Sequence, residues 1–177
     1  MDLNISKPKY RHLLIAQNRD YWKANPYGYD KEHDLVLSFD FGLANMIRSS
    51  GGEVQYIDHI VESNILEEYN HKTYKFFANW HYNPEGKDIF EYRGIDMGSA
   101  FRIEIWNDIT FYIRMFINLH KLCKQVKFEK VYVGIDNHVI TDILKFLKIE
   151  TNSWSCPNRN AIKEYYFPIF LWMENAL

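Results

Sequence analysis

Three short polar clusters hold the residue types in this sequence that could do chemistry. Asn18-Arg19-Asp20, Asp58-His59 and Asp136-Asn137-His138 each follow closely on a short apolar run. A carboxylate or imidazole there has the chemistry of a general base, and imidazole titrates near neutrality. An arginine beside it supplies a charged donor for an anion. The same residue types also cap helices, and Asp136 or Asn137 is an obvious N-cap for the apolar stretch that follows.

Other constellations are missing. The histidines His12, His33, His59, His71, His81, His120 and His138 never pair with one another or with a cysteine at metal-ligand spacing, and no HExxH occurs, so no metal is expected. Neither a GxGxxG fingerprint, a GxxxxGK loop nor a GxSxG elbow is present, and no cofactor is expected. Asp20, Asp40, Asp58, Asp96 and Glu104 offer carboxylates, but spacing does not say which of them approach each other. Glu104 with Arg102 also reads as ordinary surface charge or a local ion pair. Tyr74, Phe76, Phe77, Trp80 and Tyr82 recur at helical spacing and read as core packing before a stacking platform. Trp22, Tyr27 and Tyr29 fall in a loop, where burial is less automatic, and are better candidates for stacking on a ligand.

The elements that must position these groups alternate. Residues 12–16 form a buried strand, followed by a polar, aromatic loop from Gln17 to Asp30. Val36, Phe39, Leu43, Met46 and Ile47 have helical spacing, and Gly51-Gly52 is a strong helix stop. Val54 to Ile57 make a second strand. A helix over 63–81 is capped by Ser63 or Asn64, and Asn83 to Gly86 form a turn. Residues 89–95 fit a short strand or an extended loop. A long helix, capped by Ser99, runs to about Gln125 and is apolar over more than half its girth. Residues 130–134 are a third strand, 139–147 a helix, and 149–154 a further short strand. Strand-helix alternation predicts an α/β, Rossmann-like three-layer domain with a mostly parallel sheet, spanning 1–177 as one domain with an aromatic tail over 159–177. In such sheets ligands sit at the carboxyl ends of the strands, where the three polar clusters would gather.

Bulk properties narrow the classes. A formal charge of −2 supplies no field toward nucleic acid, and no apolar stretch fits a membrane span. Cys123 and Cys156 are too few for a disulfide framework, and Cys123 falls on the apolar stripe of the long helix as a buried free thiol. With no apolar leader at the start, the cytoplasm is the expected location.

The runs LLIAQ, SFDFGLANMIRSSGGEVQYID, FEYRGIDMGSAFRIEIW and KVYVGIDNHVITDILKFLKI, read together, resemble the N-terminal half of GT-B-type glycosyltransferases that build bacterial surface carbohydrates. The likeness covers roughly residues 12–150. It implies an acceptor-side domain that binds a sugar acceptor or a nucleotide sugar. No counterpart of the family's second half follows, which implies catalysis only with a second domain, a second subunit or further copies of the chain. Under this likeness, Asn18, Arg19, Trp22, Asp96, Asp136, Asn137 and His138 are expected to contact substrate. Asp20, or Asp58 with His59, is expected to act as the base or acceptor contact. The competing expectation is a non-enzymatic Rossmann-like module that binds a ligand or assembles an oligomer.

Overall fold

The computed structural model describes residues 9–156. Among these, the residues up to Val61 and those from Met115 form one compact unit, and Glu62–Arg114 form a second.

The first unit is an all-parallel sheet of β1 (Lys9–Ala16), β2 (Asp34–Ser38), β3 (Glu53–Tyr56), β4 (Lys127–Gly134) and β5 (Thr151–Ser153). Its strand order is β3-β2-β1-β4-β5. The Rossmann-like α/β class expected from the sequence is therefore present. The helices in this unit are α1 (Arg19–Lys23), α2 (Phe41–Ser49) and α5 (His138–Phe146), with a 3-10 turn over Ile57–His59. Helix α3 (Ser63–Asn79) belongs to the second unit, and α4 (Met97–Gln125) contributes to both.

Strand alternation explains why both sheet faces are apolar. Leu14, Ala16, Val36 and Val54 pack in one cluster with Leu43, Ala44 and Ile47 of α2 and Tyr21 of α1. The alternate residues Leu13, Ile15, Leu35, Leu37, Val131 and Val133 are buried as well. Buried Ile140, Ile143 and Leu144 of α5, and Met115, Phe116, Leu119 and Leu122 of α4, supply apolar partners to a layered core. Strands covered on both faces read as continuous apolar runs, as parallel sheets require.

Three local expectations are corrected. Residues 34–38 are a strand, where the spacing from Val36 onward had suggested one helix; Leu35-Val36-Leu37 is fully buried, and a buried run carries no period of its own. The loop after β1 contains α1, nucleated by Asn18, whose side chain accepts from Asp20 N and Tyr21 N. Helix α3 has Glu62, not Ser63 or Asn64, at its N-cap position, and no side chain bonds there. The Gly51 stop is as expected, with φ +82°. The tail 159–177 lies outside the described residues.

At the amino ends of the strands, Asp34 is fully buried. Arg11 donates to both of its carboxylate oxygens at 3.3 Å, and the Asp30 N–H donates at 2.8 Å. His12 Nδ1 lies 3.2 Å away without hydrogen-bond geometry. Burying a carboxylate this deeply is tolerable only because these donors replace its water.

In the second unit, Phe77 is buried and meets the Trp106 ring edge-to-face at 6.0 Å. The connection from α3 to α4 is tied by polar groups. Asp88 accepts from Phe90 N and Gly98 N, and Asp96 accepts from Ser99 N, Ser99 Oγ and the Tyr82 hydroxyl. Asp96 thus does the capping that the sequence suggested for Ser99.

Candidate functional site at the carboxyl rim

The strand order reverses direction between β1 and β4: β2 and β3 extend the sheet one way, β5 the other. At such a switch point the loops leaving the two central strands diverge, and open α/β sheets bind ligands in the crevice between them. Here those loops are residues 17–18 and 135–137, which lead directly into Arg19 and Asp20 of α1 and His138 of α5. Two of the three polar clusters therefore stand side by side, as the topological rule requires.

Hydrogen bonds build the floor of this crevice. Gln17 N donates to Gly134 O at 2.9 Å, and Gln17 Oε1 accepts from Asp136 N at 2.9 Å. The Tyr21 hydroxyl donates to the Asp136 carboxylate. Burial, then the bond to Asp136, pushes the Tyr21 phenol up to about 12, so it remains a donor at neutral pH. Trp154 Nε1 donates to Tyr21 O at 2.9 Å, and its indole lies where any Cβ on Gly134 would be. Gly134 is thus required by the close approach of the ring.

The groups above that floor differ in how they are engaged. Asn18 is occupied as the α1 cap, and Asn137 caps α5 by accepting from Val139 N at 2.8 Å. Capping, the alternative role for these residue types, is therefore realised at both positions. Arg19, Asp20, Asp136 and His138 are exposed. The Arg19 guanidinium reaches over the start of α2: a Cβ built on Gly42 would lie 2.9 Å from Arg19 Nη2 and 3.0 Å from Asp40 Oδ1. Asp40 Oδ1 caps α2 by accepting from Leu43 N at 3.0 Å. The N–H groups of Phe41 and Gly42, at the first two helical positions, have no acceptor within the helix.

Asp58 and His59 follow β3 and stand at the same rim, but β2 separates β3 from β1. His59 joins an aromatic row there. The exposed Phe41 ring meets Tyr56 edge-to-face at 5.9 Å, and Tyr56 meets His59 at 5.1 Å. Trp22 is partly buried against the core and packs on Tyr29 at 5.0 Å, while Tyr27 stacks on Tyr132 at 4.0 Å. Those rings pack on one another, with Tyr27 still exposed.

Asp96 belongs to the second unit. A hydrogen bond with the Asp88 carboxyl, then those from Ser99 and Tyr82, hold its acid well below the usual carboxylate range. His81 is fully buried beside it, with Nε2 3.3 Å from Ser99 Oγ and 3.7 Å from Asp96 Oδ1. Ser99 spends its proton on Asp96 at 2.9 Å, and no acceptor among the described residues orients His81 Nδ1. Serine, histidine and aspartate are therefore adjacent without the relay order of a nucleophilic triad.

Gln17, Tyr21, Phe41 and Tyr56 were not anticipated as site residues. The available signal was position: each lies at or just past the carboxyl end of a strand, once β2 is recognised. Among the described residues no group of histidine, cysteine and carboxylate side chains is arranged to hold a metal ion, and no helix is long and apolar enough to cross a membrane. No family model matches the chain, and neither a curated protein nor a solved structure matches it.

Proposed function

We propose that the carboxyl rim of the sheet binds a saccharide ligand, either a sugar acceptor or an activated sugar, as the acceptor-side domain of a glycosyltransferase of surface-polysaccharide biosynthesis. One observation carries the reading. The β1–β4 switch point sets the segment carrying Asp20 next to the loop carrying Asp136 and His138, while the Arg19 guanidinium reaches along the same rim to the start of α2. Carboxylates accept hydrogen bonds from sugar hydroxyls, and a guanidinium receives the charge of a phosphorylated sugar. In this reading Asp20 is the base or acceptor contact at the crevice, with Asp58 and His59 further along the rim. Transfer itself requires a second domain or subunit to carry the rest of the donor site. The resemblance in the sequence between residues 12 and 150 supports the same assignment.

Calorimetric titration with nucleotide sugars and with acceptor saccharides tests this. Saturable binding is expected, weakened by Asp20→Ala or Asp58→Ala with the fold unchanged by circular dichroism. If none of these ligands binds, the proposal fails and a non-enzymatic assembly module replaces it. A concentration-dependent mass in light scattering is the signature of that second reading.

A further inference from the structure

We infer that the β4–β5 side of the amino rim docks on an anionic lipid bilayer, through six lysines that the ends of three elements bring together. This surface is independent of the saccharide reading, because the crevice lies at the other ends of the same strands.

The formal charge of −2 gives the chain as a whole no attraction to such a surface. Its charges are segregated, however. Where β1 and β2 enclose Asp34 the amino rim is locked by internal pairing; along β4 and β5 it is not. Helix α4 runs into the amino end of β4, and α5 returns from the carboxyl end of β4 to the start of β5. The last turns of both helices therefore reach the rim at which β4 begins. Phe116 of α4 and Phe146 of α5 pack ring on ring at 5.8 Å, which holds the two helices side by side. Lys121 and Lys124 close α4, Lys127 and Lys130 open β4, and Lys145 and Lys148 close α5. Strand β5 pairs with β4 only from Val131 onward, so Lys127 and Lys130 extend past its ladder. Five of the six lysines are exposed, and Lys121 is half-buried. Between Lys121 and Glu150 the acids away from the carboxyl rim are Glu129, Asp142 and Glu150. The ion pairs among the described residues use Arg11, His12, His33, Lys72 and His81, and none of these lysines. His120 registers the resulting field: burial, then Lys124, hold its imidazole below the ordinary value.

The kind of cation selects the kind of anion. No arginine occurs between Lys121 and Lys148. A guanidinium fork reads one phosphate bidentately and stacks on bases, whereas an ammonium is a hydrated point charge on a flexible stem. Point charges spread along a rim, none of them enclosed, fit a field of interchangeable headgroups, and a cluster of this size is what an anionic leaflet attracts. The exposed Phe146 ring beside Lys145 places an aromatic group at the level of those headgroups. Strand β4 is eight residues long, so the docked face and the crevice stand roughly 25 Å apart along the strand. Docking there leaves the crevice uncovered.

Co-sedimentation of the full chain with vesicles tests the surface. One set is phosphatidylcholine alone, the other phosphatidylcholine mixed equally with phosphatidylglycerol. Wild type should sediment with the charged vesicles only, and less as salt is raised, because screening shortens the reach of each lysine. A variant carrying Lys124→Gln, Lys127→Gln, Lys145→Gln and Lys148→Gln should lose about a hundredfold or more in partitioning. A variant carrying Lys23→Gln, Lys72→Gln, Lys75→Gln and Lys87→Gln, with the same change in net charge, should partition like wild type. Circular dichroism shows that both remain folded. Failure of wild type to sediment with charged vesicles, equal sedimentation with neutral ones, or equal losses in the two variants each overturns the inference. So does displacement from the vesicles by polyuridylate or polyglutamate at equal charge concentration, which assigns the rim to a nucleic acid or an acidic protein. None of these results bears on saccharide titration, so the saccharide reading stands or falls separately.

Discussion

The two ends of the parallel sheet treat their polar groups in opposite ways. At the amino ends Asp34 is completely buried, and Arg11 and the Asp30 backbone are committed to it. At the carboxyl ends Arg19, Asp20 and His59 are exposed, and a fixed floor of Gln17, Tyr21 and Asp136 lies beneath the crevice. A charge enclosed by its own donors contributes to folding and has nothing left to offer a ligand. A charge held above a rigid floor contributes little to folding and is available for recognition. The contrast separates residues committed to the fold from residues left exposed at the rim.

Substitution of Asp34 should show the largest effect. Asp34→Asn leaves Arg11 facing a neutral group and is expected to cost about 3 kcal/mol in urea unfolding, because a charged hydrogen-bonded pair loses one member. A cost below about 1 kcal/mol would erase the distinction between the two rims. Tyr21→Phe comes next. It removes the donor to Asp136 and should cost about 1–2 kcal/mol, the range for a hydrogen bond to a charged group, while lowering ligand affinity through a loosened floor. Loss of affinity without loss of stability would place Tyr21 in direct contact with the ligand instead.

Acid sharpens the comparison further. The Glu32 N–H, followed by His33, holds the Asp30 carboxyl below its ordinary value. A carboxylate depressed in the folded state adds stability above its unfolded pKa, and that stability is lost as pH falls through the folded value. Stability should therefore decline below about pH 4, and Asp30→Asn should flatten part of that limb in pH-dependent unfolding. The smallest stability effect belongs to Arg19→Ala and Asp20→Ala, expected within about 0.5 kcal/mol of wild type although ligand titration weakens. A large loss of stability in either variant would make the carboxyl rim structural as well.

Much of the fold was legible because its elements carry strong local signals. Gly51 ended α2, an apolar stripe marked α4, and Cys123 on that stripe is partly buried, which pushes its thiol up to about 11. Strand β2 was hidden because an apolar run enclosed on both faces joins smoothly to the helical spacing after it. That one strand also set what could be read of the site. The clusters after β1 and β4 are neighbours, while Asp58-His59 was displaced along the rim by the unseen strand. Tyr21 and Asp136 are separated by 115 positions, and no local pattern encodes such a contact.

The central ladder has a consequence for how the chain is made. Its partners begin with Lys9 beside Lys127, while β1 and β2 pair much closer in sequence, at His12 with Asp34. A growing chain can therefore assemble β1, β2 and β3 early, with one side of β1 left as an open edge until β4 has been synthesised. Loop closure over so long a segment costs little in final stability but slows the search. During that interval the uncapped edge is the point at which a nascent chain would aggregate or recruit a chaperone.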